Sequence, residues 1–147
     1  MKRNLFYLLP LLLIFTEACS THSDNTPIPA PLGTFSGTFR LLVKKTTGSG
    51  YDTVKKNTNL IISLTTPNHF KVTGDTTTIH AGSRGLFQYN GVYIAFLDST
   101  FKAGTPQTKI HLTDTYNYLY DGTILIFQRN NTALDSIFRY DFSKTSN

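Results

Sequence analysis

The sequence predicts an all-β protein: an antiparallel meander of about eight to ten strands, closed into a barrel. Composition, periodicity and turn chemistry all predict it. The chain has 147 residues, with 11 Phe and 8 Tyr, one Met and a single glutamate, Glu17. Strong helix formers are scarce, whereas Thr, Phe, Tyr, Ile and Val, which suit a pleated half-buried surface, are plentiful. Apolar residues recur with a period of two rather than 3.6. Turn dipeptides such as Asn90-Gly91 and Asp121-Gly122 punctuate these segments at hairpin spacing.

The first 31 residues stand apart. Lys2 and Arg3 precede the apolar run Leu5 to Phe15, which has the length of a signal-peptide h-region and is too short to span a bilayer. The run ends at Ala18-Cys19, and Cys19 is the only cysteine. An unpaired thiol on an exported protein is a liability unless it is consumed, and acylation would consume it. Ala18-Cys19 resembles the lipobox of bacterial lipoproteins, with Thr16 and Glu17 where that motif more often has an apolar and a small residue. The resemblance implies a signal peptide over 1–18 and a lipidated N-terminal Cys19. Residues 20–31 contain Pro27, Pro29 and Pro31 and no apolar period, so 19–31 reads as a tether. At about 3 Å per residue it could hold a domain roughly 30 Å or more from a bilayer.

Removal of residues 1–18 from 147 leaves 129, enough for one domain, here 32–147. The whole chain carries 14 Lys plus Arg against 9 Asp plus Glu. Without Lys2, Arg3 and Glu17 the balance is 12 against 8, or +4. That excess is too small and scattered to argue for nucleic acid.

Within the domain, Phe35, Gly37, Phe39, Leu41 and Val43 alternate with polar residues and form the first strand, up to Lys44. Gly48-Ser49-Gly50 turns the chain toward a second strand with Leu60, Ile62 and Leu64 on one face. Phe70 and Val72 mark the third, and Gly74-Asp75 a tight turn into a fourth at Thr76 to His80. Phe87 to Tyr89 and Val92 to Leu97 flank Asn90-Gly91, where a type I′ turn would put both central residues at positive φ. Asp121-Gly122 repeats the device between Tyr116 to Tyr120 and Thr123 to Phe127. Asn130-Asn131 then turns the chain into Ser136 to Phe142. Tight hairpins make sequential strands neighbours, and a meander of this size disposes of its edges by closing or by splitting into two packed sheets. Closure is the expectation, and a two-sheet β-sandwich the alternative. Val92 to Leu97 and Ile124 to Phe127 are apolar on both faces and so call for cover. Ala103 to Gln107, with Gly104 and Pro106, is a candidate lid.

Gly33-Thr34-Phe35-Ser36-Gly37-Thr38-Phe39, the late hairpin Tyr116 to Phe127 and the final aromatic strand Ile137 to Phe142 resemble the small lipocalin-like lipoproteins of Bacteroidetes, over residues 33–143. Phe35 stands where lipocalins carry the Trp of Gly-x-Trp. The resemblance implies a calycin-type barrel, with Arg139 packed over Phe35.

Candidate chemistry is sparse. His22, His69, His80 and His111 lack metal-ligand spacing and read as exposed or hydrogen-bonded residues. Gly82-Ser83-Arg84-Gly85 lacks the lysine of a P-loop and the second glycine of a nucleophile elbow, and reads as a turn. No catalytic residue, metal or cofactor is expected. Asp52-Thr53-Val54, Asp75-Thr76-Thr77, Asp98-Ser99-Thr100 and Asp135-Ser136-Ile137 resemble the triplets that Bacteroidetes O-glycosylate, which marks Thr53, Thr76, Ser99 and Ser136. Lys44, Lys45, Lys55 and Lys56 flank one turn. They form a candidate anionic contact, or else protect a strand end. Phe39, Phe70, Phe96, Phe127, Phe138, Tyr89, Tyr118 and Tyr140 lie on strands, where they either fill a small barrel or line an apolar pocket.

The expectation is a non-enzymatic, lipid-anchored protein of the bacterial cell envelope, on the outer membrane facing the periplasm, with surface exposure as the alternative. It would bind a small hydrophobic or amphiphilic ligand. The alternative is a structural or protein-binding accessory lipoprotein with a filled barrel.

Overall fold

A computed structural model describes residues 29–53, 58–102, 104, 106–132 and 135–147. Cys19, Lys55 and Lys56 lie outside the described residues, as do Ala103 and Thr105 of the expected lid.

The strands are β1 (Gly33–Lys44), β2 (Tyr51–Thr53), β3 (Thr58–Thr65), β4 (His69–Gly74), β5 (Arg84–Tyr89), β6 (Tyr93–Asp98), β7 (Asp114–Tyr120), β8 (Ile124–Asn131) and β9 (Ser136–Ser146). All pair antiparallel, and β9 returns to pair with β1 from Thr34↔Ser146 to Val43↔Ser136. Eight strands therefore form a closed up-and-down barrel, with β2 as a short extra strand on the end of β1. Closure removes the sheet edges that a two-sheet sandwich would have left.

The alternation in the sequence becomes the two faces of the wall. On β9, Phe138, Tyr140 and Phe142 point inward and are at most 5% exposed, while Arg139 and Asp141 point outward. Phe35, Phe39, Leu60, Ile62, Leu64, Phe70, Phe87, Ile94, Leu125 and Phe127 complete the interior. Each such side chain contributes about 1.5–3 kcal/mol by leaving water. Gly37 sits on the inward face of β1, where an added Cβ would lie 2.0 Å from the Asp141 carbonyl oxygen. Only glycine lets β9 approach β1 this closely, so the closing seam depends on it.

Arg139 does not pack over Phe35. It lies on the outer surface, bound to Asp141 and Gln128, and the ring against Phe35 is Tyr120, at 5.7 Å and 78°. Alternation leaves no other outcome, since Arg139 lies between two inward residues of β9. Nor do Thr76 to His80 form a strand. They belong to an irregular loop, with one isolated bridge, His80↔Ile110.

The turns also differ in register from the sequence expectation. Neither Asn90 nor Gly91 has positive φ. The central pair is Gly91-Val92, closed by Asn90 N–H donating to Tyr93 O (2.9 Å), while Asn90 Oδ1 accepts from the Val92 and Tyr93 amides at 2.9 and 2.8 Å. Asp121 plays the same part before Gly122-Thr123: Gly122 alone has positive φ, 103°, and the carboxylate accepts from the amides of Thr123 and Ile124. Each Asx side chain caps the turn from its first corner instead of occupying a central position. The last turn comes after Asn130-Asn131, because β8 continues to Asn131 opposite Ser136.

Candidate functional site

The two mouths of the barrel differ. The near mouth is where β1 begins, and three-residue connections 66–68, 90–92 and 121–123 close its hairpins. The far mouth carries the longer connections, 75–83 and 99–113. These two loops form the most elaborate polar arrangement among the described residues.

Gly74, at φ 96°, turns the chain off β4, and the Asp75 amide donates to Asn59 O (2.9 Å). The Asp75 carboxylate accepts from Thr77 N–H and Oγ1 and from Thr78 Oγ1, and the Thr77 hydroxyl is foremost in holding its pKa below the usual carboxylate range. The loop then pairs with the second one: Ile110 N–H donates to Ile79 O (2.9 Å) and Ala81 N–H to Ile110 O (2.8 Å). This pairing turns His80 into the barrel, where it is fully buried beside the edge of Phe39 at 5.1 Å. His80 Nδ1–H donates to Ala81 O (2.6 Å), which leaves Nε2 to accept the Tyr140 hydroxyl proton at 2.9 Å. Burial lowers the His80 pKa to about 4; the Ala81 carbonyl and, more weakly, Asp98 oppose the shift, and His111 reinforces it.

Beneath the second loop, Asp98 accepts from the Thr100 amide (2.8 Å) and hydroxyl (2.6 Å) on Oδ1 and from His111 Nδ1 (2.8 Å) on Oδ2. Burial pushes the Asp98 pKa up, but the bonds from Thr100 and His111 outweigh it and hold the group ionised. Ser83, 2% exposed, accepts the Leu112 amide on Oγ (3.1 Å), and Leu112 is fully buried. A serine so enclosed, with its oxygen engaged by a backbone amide, is not placed as a nucleophile. The Ser83, Asp98 and His111 side chains lock two loops over a hydrophobic core. Ile79 to Ser83 and Ile110 to Leu112 cover this mouth.

Deeper in, the Tyr116 hydroxyl is buried and makes no hydrogen bond of good geometry, with Tyr140 and Arg129 as its polar neighbours, and burial pushes its pKa up to about 12. Burial raises Tyr140 well above its ordinary value too. The Arg129 guanidinium lies 5.5 Å from the Tyr116 ring centre and 5.0 Å from that of Phe138, and pairs with Asp114 at 2.5 Å. Asp114 holds a φ of 78°, which an Asp side chain tolerates better than most.

Of the eight aromatic candidates, Phe39, Phe70, Phe96, Phe127, Phe138 and Tyr140 are buried together in the barrel. They interlock: Phe127 stacks on Tyr140 at 4.5 Å, and Phe96 meets Phe70 at 5.0 Å and Phe127 at 5.4 Å. Tyr89, 39% exposed, and Tyr118, half-buried, lie instead at the near mouth. Depressions of about 280 and 330 Å³ lie on the wall near that mouth, around Gln88, Tyr93 and Thr115 and around Asn117, Leu119 and Gln128. The two described lysines of the basic cluster sit at the far mouth, Lys44 paired with Asp135 (3.4 Å) and Lys45 with Asp52 (3.5 Å). Of the four glycosylation candidates, Ser136 is 3% exposed and Ser99 is on the surface, donating to Arg84 O (2.8 Å). Thr76 is half-buried, and the side chain of Thr53 lies outside the described residues.

Periodicity pointed to the interior aromatics. Nothing in the sequence marked His80, Ser83, Asp98 and His111 as one cluster, because they come from separate segments that only the closed barrel brings together. Among the described residues, no group of three or more His, Cys, Asp or Glu side chains is placed to hold a metal ion. No family model matches the chain, and no curated protein or solved structure matches it either.

Proposed function

We propose that this chain is a non-enzymatic lipoprotein of the bacterial cell envelope, anchored through Cys19, whose filled barrel serves as a rigid module for another envelope protein. The observation that carries this reading is the interior itself. Rings from β1, β4, β5, β6, β7, β8 and β9 pack against one another at 4.5–6.4 Å, and two loops seal the far mouth. A barrel that holds a small apolar ligand keeps a space of several hundred Å³ between its walls. Here bulky side chains interlock in that position, which favours the accessory role over ligand carriage. The Asp98–His111 pair is committed to holding loops together, which favours a non-catalytic role.

Two measurements test this. In the full chain produced in a bacterial host, radiolabelled palmitate should enter the protein, and Cys19→Ser should abolish the label. An unlabelled chain would overturn the anchor. Native mass spectrometry of the mature chain, exposed to an envelope extract, should return the bare polypeptide with its lipid. A discrete small molecule leaving on activation would instead establish ligand carriage.

A further inference from the structure

We propose that the near mouth of the barrel is a membrane-seating rim, with Tyr89, Val92, Tyr93, Leu119 and Ile124 entering the interfacial zone of the bilayer. The proposal rests on the anchored reading above and adds which surface of the domain meets the lipid.

These side chains are the exposed apolar residues at the near-mouth ends of two neighbouring hairpins, the first of which also exposes Leu86 and Leu97 farther along its wall: Val92 is 55% exposed, Tyr93 47%, Leu119 65% and Ile124 44%. The hairpins are fastened to each other, since Tyr118 donates its hydroxyl to Asn90 O (2.6 Å) and its amide to Val92 O (3.1 Å). The cluster is therefore one surface carried on rigid turns. Its composition fits one environment well. Tyrosine combines an apolar ring with a polar tip and suits the headgroup boundary, while Val, Leu and Ile suit the region just beneath it.

The place where the chain enters the barrel identifies the occupant. β1 starts at Gly33 on this same mouth, and Ile124 lies two strands from β1, through Ile124↔Ser143 and Ser143↔Ser36. At about 4.8 Å per strand, that is roughly 10 Å around the wall. The 13 peptide steps from Cys19 to Leu32 reach at most about 45 Å, so a lipid on Cys19 confines this mouth to the neighbourhood of the bilayer. The Lys144 side chain lies against Gly33 at the near mouth, where a cation can meet anionic headgroups. Asp121 is the acid of the rim, and its carboxylate is occupied by its own turn.

The chain contains no tryptophan, so a single introduced one is a clean reporter. The chain from Cys19 to Asn147 would be made as Tyr93→Trp, as Val92→Trp and, at the far mouth, as Tyr51→Trp. Each would be coupled through Cys19 to a maleimide phospholipid in phosphatidylethanolamine–phosphatidylglycerol vesicles with brominated acyl chains. Chemical coupling makes the result independent of acylation in the cell, so failure of the anchor and failure of the rim are separate outcomes. The expected result is a blue shift and bromine quenching for Tyr93→Trp and Val92→Trp alike, with neither for Tyr51→Trp. Equal quenching at both mouths, or none at the near mouth, would overturn the proposal. A blue shift of the near-mouth reporters without vesicles would overturn it in favour of a second copy of the chain.

Discussion

At the near mouth each hairpin turns within three residues, at 66–68, 90–92 and 121–123, whereas at the far mouth the chain spends nine residues on 75–83 and fifteen on 99–113. The short turns satisfy themselves. Asn90 and Asp121 cap their own backbones, and no chain is left over to cover the side chains on either side. The long loops cannot do this. Burial of Ile79, His80, Ile110 and Leu112 instead anchors them against the core. Loop length thus decides which mouth is covered by its own loops.

The largest expected effect tests the seal. His80 is the most deeply buried titratable group of the far mouth, facing Tyr140 from β9, Phe39 from β1 and its own Ala81 carbonyl, with Asp98 and His111 on the adjacent loop. Well above its ordinary pKa of 6.5 it is neutral whether the protein is folded or not. As the pH falls from 6.5 toward 4, the unfolded chain binds a proton that the closed barrel refuses, and folding loses up to about 3 kcal/mol. Asp98 and Asp141 do not contribute in this window, because their lowered pKa values put their loss of stability below the ordinary carboxylate range. Urea unfolding at about pH 7 and about pH 4.5 should show the difference. His80→Phe, which keeps a ring beside Phe39, should flatten it, and a wild-type midpoint unchanged over this range would refute the role given to His80.

Removing an atom from the same region should have a smaller effect of opposite sign. The Tyr116 hydroxyl was stripped of water on burial and makes no hydrogen bond of good geometry to its polar neighbours Tyr140 and Arg129. Tyr116→Phe should therefore leave the barrel as stable or raise its stability by about 1 kcal/mol. A lower melting temperature for this variant would mean that the hydroxyl is bonded, for instance through a buried water.

How much of this was written in the sequence follows from the same contrast. Strands carry a local signal: Phe35, Phe39, Leu60, Ile62, Phe138 and Tyr140 alternate with polar neighbours, and that alternation marked the barrel and its inward face, while leaving open whether the interior is filled. The wall faces are read two residues at a time. The turns were located but misaligned by one residue, since Asn-Gly and Asp-Gly also fit a register in which the Asx oxygen caps the turn from outside its central pair. The loop cluster left no signal. His80 meets Tyr140 across 60 residues, and Ser83 meets Leu112 across 29. Such contacts exist only once the barrel has brought the loops together. Arg139 shows the converse, because a resemblance placed it over Phe35 while its position between two inward residues of β9 already required it to face outward.

The smallest expected effect bears on the near mouth. Leu119 is 65% exposed on β7, and its outward side chain opposes Ile126 across the β7–β8 pair. If exposure there reflects short turns and not a defect of the core, a charge should be tolerated. Leu119→Lys should change unfolding free energy by no more than about 0.5 kcal/mol, the usual range for surface substitutions away from special features. The same change introduces an ammonium into the rim, where it would have to extend toward the headgroups to stay hydrated. Stability and membrane seating should therefore separate in this one variant: a melting temperature close to that of the parent, with weaker bromine quenching of Tyr93→Trp in the same chain. A large drop in melting temperature would instead show that Leu119 supports the fold, and the division between a sealed mouth and a seating mouth would have to be redrawn.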